Sequence, residues 1–165
     1  MIFLLALAAE AGDPCKGVPR TTPDVELLAS TTGAAAGDGS WIASDLRWEH
    51  GEGTWELAIS RLGVFDEALA ADTPLLVITK KDALAVSAPE EVVPVHDSHS
   101  GELYTTWTVR VPLTTELLAG LERARVEQIS GHLPGGELGW TLHKRVSKPL
   151  QKAAGCYATW LPQGL

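Results

Sequence analysis

Two runs of alternating apolar residues, Trp41 to Glu49 and Thr54 to Arg61, flank the short segment His50-Gly51-Glu52-Gly53. Period-2 spacing on both sides of a glycine-containing turn specifies a β-hairpin. With His50 to Gly53 as the loop, Trp48 stands directly opposite Trp55, Leu46 faces Leu57 and Ser44 faces Ile59. On the other face Arg47 falls opposite Glu56. A slip of one residue would move Trp55 to the face of Arg47, so the pattern fixes which side is apolar. The remainder of the chain is expected to cover that side.

Further hairpins follow. Leu75 to Thr79 is a continuous apolar run, and Ala83 to Ala88 returns after Lys81-Asp82, which places Val77 against Val86. Leu103 to Val111 alternates cleanly and Pro112 stops it. A hairpin around Gly135-Gly136 sets Leu133 against Leu138, Ile129 against Leu142, and Gly131 beneath Trp140. His96 to Gly101 reads as a polar loop. Val25 to Ser30 and Tyr157 to Trp160 read as the first and last strands.

Helical signals are brief. Thr114 caps a segment with Glu116 in its first turn and Leu117, Leu118 and Leu121 on one face. Pro149 to Ala154 suits a short helix closed by Gly155, and Phe65 to Ala71 suits one turn capped by Asp66. Seven to nine strands, short connections and these helices predict a mainly β fold: an antiparallel β-sandwich, or open barrel, with one or two short helices. The 165 residues suit one domain, spanning 12–165.

Residues 1–11 resemble the apolar part of an export signal, with Ala9-Glu10-Ala11 as a small-x-small cleavage site, although no basic residue precedes the run. An edge strand or partner-binding arm is the other reading. The apolar run is too short to span a bilayer. Cys15 and Cys156 are the only two cysteines, and in an exported chain they predict a disulfide joining the ends. Closing so long a loop contributes about 5 kcal/mol on loop entropy. An extracytoplasmic location, periplasmic or secreted, follows from both features. The formal net charge of -8 repels phosphate backbones, which disfavours nucleic acid as a partner.

The one cluster with metal-ligand spacing is His96-Asp97-Ser98-His99. Two imidazoles and a carboxylate from a loop would suit zinc or copper, with His50, Glu102, His132 or His143 to complete the set. Ser98 and Ser100 border these histidines, but neighbours in sequence rarely form a triad, and no Gly-x-Ser-x-Gly elbow is present. Glu49 and Glu52, beside the first turn, read as solvated residues rather than a catalytic carboxylate pair. Six tryptophans stand against two tyrosines and two phenylalanines, and most are expected to pack a sheet. Trp41 falls on the face opposite Trp48 and Trp55, where with Arg47 it would form part of a sugar- or protein-binding platform.

The expectation is therefore a non-catalytic, exported β-sandwich that binds a protein or surface component. The alternatives are a metal-binding protein or metalloenzyme using the His96 to His99 segment, and a structural subunit of a larger assembly.

Overall fold

The computed structural model describes residues 12–18, 25–32 and 39–161. The expected export segment, residues 1–11, lies outside them. The fold is mainly β, with nine strands and two helices among the described residues. Strands β1 (Val25–Thr32), β2 (Trp41–Glu49), β3 (Glu52–Leu62), β6 (Val95–His99) and β7 (Glu102–Pro112) form one antiparallel sheet in the order β1-β2-β3-β7-β6. Strands β4 (Leu75–Thr79), β5 (Ala83–Val86), β8 (Val126–Leu133) and β9 (Gly136–Thr141) form the second, in the order β5-β4-β8-β9. Helices α1 (Thr115–Arg123) and α2 (Lys144–Ala158) pack on each other, and α2 also packs on β1, β2 and β8.

The apolar stripe of the first hairpin is the floor of the core. Ile42, Leu46, Trp55, Leu57 and Ile59 are fully buried, as are Trp107 and Val109 on β7. Leu75, Val77, Ile129 and Trp140 from the second sheet join the same buried cluster, together with Leu118, Leu121, Leu150 and Tyr157 from the helices. The tyrosine hydroxyl donates to Leu46 O at 2.9 Å, tying α2 to the middle of β2.

All three hairpin registers differ from the sequence-based expectation, each by the same amount. The first turn is His50-Gly51, with φ of 51° and 81°, rather than a four-residue loop. A two-residue turn with both φ positive matches the right-handed twist of the strands. Trp48 therefore pairs with Gly53 and Leu46 with Trp55, while Arg47 pairs with Thr54 and Asp45 with Glu56. The ring neighbours of Trp48 are Tyr157 and Trp160, at 5.9 and 5.7 Å between centroids. In the β4–β5 hairpin Val77 pairs with Leu84, not Val86. Thr79 closes that turn, accepting from Asp82 N–H at 2.9 Å and Lys81 N–H at 3.2 Å. In β8–β9, Leu133 pairs with Gly136, Gly131 with Leu138, and Ile129 with Trp140. Leu75 from β4, not an indole, fills the space above Gly131: a Cβ there would lie 2.5 Å from Leu75 Cδ2.

Each pairing shifts by two residues, which leaves every side chain on its expected face. The inward and outward assignments hold even though the partners change.

Other departures have tertiary causes. Residues 65–71 form no helical turn, because neighbours take their polar groups: Phe65 N–H donates to Thr105 Oγ1, Trp107 Nε1 donates to Glu67 O, and Leu69 bridges Val92. His96 to Gly101 is not a loop. Val95–His99 is an edge strand, joined to β7 through a Ser100-Gly101 turn with φ of 54° and 82°. The helix expected at Pro149–Ala154 is present but longer: Pro149 and Gly155 both lie inside α2, which runs through Tyr157, so the expected last strand does not form. His143 caps α2 through its ring, which accepts from Arg145 N–H at 3.3 Å. Cys156 and Tyr157 lie on the buried face of this 15-residue helix. Helix α1 forms as expected, with Thr114 Oγ1 accepting from Leu117 N–H.

Candidate functional site

Cys15 and Cys156 are joined in a disulfide across 141 positions. Cys156 is fully buried in α2. The bond fixes the turn at residues 14–17 against the helix that covers β1 and β2. A structural disulfide of this kind persists in an oxidising compartment. Among the described residues, no helix is long and apolar enough to cross a membrane.

The structure does not bring His96 and His99 together. Both lie on β6, where successive side chains alternate between faces. Residues three apart therefore point to opposite sides. His96 faces the interior side, with Nδ1 3.1 Å from Thr105 Oγ1 and Nε2 3.1 Å from Asp66 Oδ1. Thr105 gives its own hydroxyl proton to Gly63 O. Asp97 turns back on its own strand and accepts from Ser98 N–H at 2.7 Å. Among the described residues, no three His, Cys, Asp or Glu side chains gather so as to hold a metal ion.

Trp41 and Arg47 both lie on the outer face of the five-stranded sheet, as their spacing implies. Trp41 is 38% exposed, whereas its neighbour Ile42 is fully buried. Arg47 lies 3.7 Å from Asp45 and 3.8 Å from Glu56, and Glu56 also receives Arg110 at 3.0 Å. The register shift thus turned a direct Arg47–Glu56 pair into a diagonal one and added Arg110 from β7. Glu49 and Glu52 close the first turn as direct cross-strand partners. With Arg47, Glu56 and Arg110 they border a shallow polar depression of about 300 Å³.

The rest of the outer face was not visible in the sequence. Trp41 pairs with Ser60, Ser60 with Thr106, and Thr106 with Val95, so four strands contribute one transverse row. At ordinary strand spacing this row is about 14 Å long. Its middle is low: Ser60 is buried and its hydroxyl lies 2.6 Å from Thr106 Oγ1. The next row, Ala43, Ala58 and Thr108, is also built of short side chains. An indole at one end and Val95, 64% exposed, at the other therefore bound a row of short side chains whose centre, Ser60, is buried. Beyond Val95 the segment Ala88 to Val93 borders a groove of about 320 Å³ against Thr108 and Arg110 of β7.

Comparison with protein-family models, curated proteins and solved structures finds no match to this chain.

Both tyrosines are held protonated beyond their ordinary range. Burial raises Tyr157, and the nearby Asp45 carboxylate adds to the effect. Tyr104, on the outer face, is raised first by its 3.1 Å hydrogen bond to Glu102. The outer face therefore offers an indole, aliphatic groups, hydroxyls and charged pairs.

Proposed function

We propose that this protein is an extracytoplasmic binding protein whose outer sheet face receives a partner protein. The observation that carries the reading is the transverse row from Trp41 to Val95, in which exposed apolar groups flank a floor of short side chains. Contact surfaces are enriched in tryptophan and arginine, with polar groups at the rim. Arg47, Asp45, Glu56 and Arg110 supply such a rim here. The disulfide supports an oxidising location.

The test compares three immobilised proteins, wild type, Trp41→Ala and Val95→Ser, as baits in extracts of the source cell envelope. Wild type is expected to retain a partner that both variants lose, with circular dichroism unchanged. Equal retention by all three would remove the outer face from consideration.

A further inference from the structure

The groove beside β6 specifies the chemistry of its occupant more closely than the wider face does. Val93 and Val95 are 67% and 64% exposed, the highest values among the large hydrophobic residues described. They lie two positions apart around Pro94 and border the groove with Thr108. Residues two apart in extended chain are spaced as the alternate side chains of another extended segment.

Charge is the second constraint. Glu90 and Glu91 line the same groove, and neither makes an ion pair among the described residues. Among the described residues, the one cation lining it, Arg110, is already answered by Glu56 at 3.0 Å. The groove thus joins an apolar wall to two carboxylates without an ion pair among the described residues, within a chain of formal net charge -8. A cationic segment is attracted and an acidic one repelled.

Strand addition at this edge is disfavoured. Pro94 has no N–H to offer, and the Ser98 N–H is taken by Asp97. Recognition therefore runs through side chains seated in the groove. We infer that the groove between residues 88–95 and β7 binds an extended segment of a partner protein in which lysine or arginine alternates with aliphatic residues. The inference rests on the outer-face reading above and gives it a partner chemistry.

The probe is the blocked peptide acetyl-Lys-Val-Lys-Val-Lys-amide, titrated into the intact oxidised protein and followed by methyl NMR. Saturable shifts are expected at Val93, Val95 and Thr108, with no response to the peptide carrying glutamate for lysine. Glu90→Gln/Glu91→Gln, two exposed substitutions, is expected to weaken binding roughly fivefold or more. No saturation at millimolar peptide, equal binding of the acidic peptide, or unchanged affinity in the double variant would each overturn the inference. Shifts confined to the methyls of Ala43 and Ala58, beside Trp41, would overturn the groove while leaving the outer face standing. Shifts confined to the groove, alongside a partner retained by Trp41→Ala, would do the reverse.

Discussion

Gly53 lies directly across from Trp48, and the indole occupies the space a side chain at position 53 would need. A Cβ on Gly53 would sit 2.8 Å from two ring carbons of Trp48 and 2.7 Å from Leu113 Cδ1. The ring cannot retreat easily, because Tyr157 and Trp160 stand beside it. Gly53→Ala is therefore expected to destabilise the fold by ~1–3 kcal/mol, the usual cost of overpacking. Urea unfolding measures this. The cost should fall in a Trp48→Ala background, which removes the two ring contacts and leaves only the mobile end of Leu113 to give way. An additive pair of changes would contradict the packing.

The two sides of the large sheet differ in what an indole contributes. Trp107 is fully buried and donates to Glu67 O at 3.0 Å, whereas Trp41 faces outward. Trp107→Ala is expected to cost ~3–5 kcal/mol, as large core deletions do. Trp41→Ala should cost less than about 1 kcal/mol, in the usual range of surface changes. Denaturant midpoints of the two variants check the contrast.

Alkaline pH should unfold this protein through Tyr157. In the unfolded chain its phenol ionises near its ordinary value of about 10. In the fold, burial and the Asp45 carboxylate hold it protonated well above that. The folded state thus binds more protons than the unfolded state once pH exceeds the unfolded value. Stability is fully present below about pH 10 and falls as pH rises beyond it, by at most ~1.4 kcal/mol per pH unit for one proton. Urea midpoints between pH 8 and 11.5 should show this slope in wild type. It should be reduced in Tyr157→Phe, which also loses the hydrogen bond to Leu46 O.

Removing the disulfide tests the staple. Cys15→Ala/Cys156→Ala is expected to lose 2–5 kcal/mol, roughly the usual range for a native disulfide. Because α2 also packs on β1, β2, β8 and α1, the reduced protein should keep its far-ultraviolet spectrum at low temperature. Thermal unfolding with and without reductant gives the measurement.

Much of the plan was legible in the sequence, and the limits of that legibility are physical. Alternation from Trp41 to Arg61 determined which side chains face inward, because strand geometry has a period of two. The cap at Thr114, the helix it starts and the pairing of Cys15 with Cys156 were readable for similar local or counting reasons. Register was not: a shift of two residues keeps every face intact, so the pattern alone cannot separate Trp48 opposite Trp55 from Trp48 opposite Gly53. The choice falls to turn geometry and to the room Gly53 leaves for an indole. The helix at Pro149–Ala154 was legible too, but its continuation past Gly155 was not taken from the signal that carries it. Leu150, Ala153, Ala154 and Tyr157 follow i, i+3, i+4, i+7 spacing, the mark of an amphipathic helix, and they are the buried face of α2.

The candidate surface divides the same way. Trp41 and Arg47 could be placed on the outer face from their parity within β2. Val95 joined them only when β6 took the edge beside β7, a pairing between residues on either side of a turn that looked like a polar loop. Likewise His96 and His99 were close in sequence yet parted by a strand that sends neighbours to alternate sides. Local chemistry decides what each segment offers, but only long-range pairing decides which segments share a face, because that depends on burying apolar area that no single segment can cover alone.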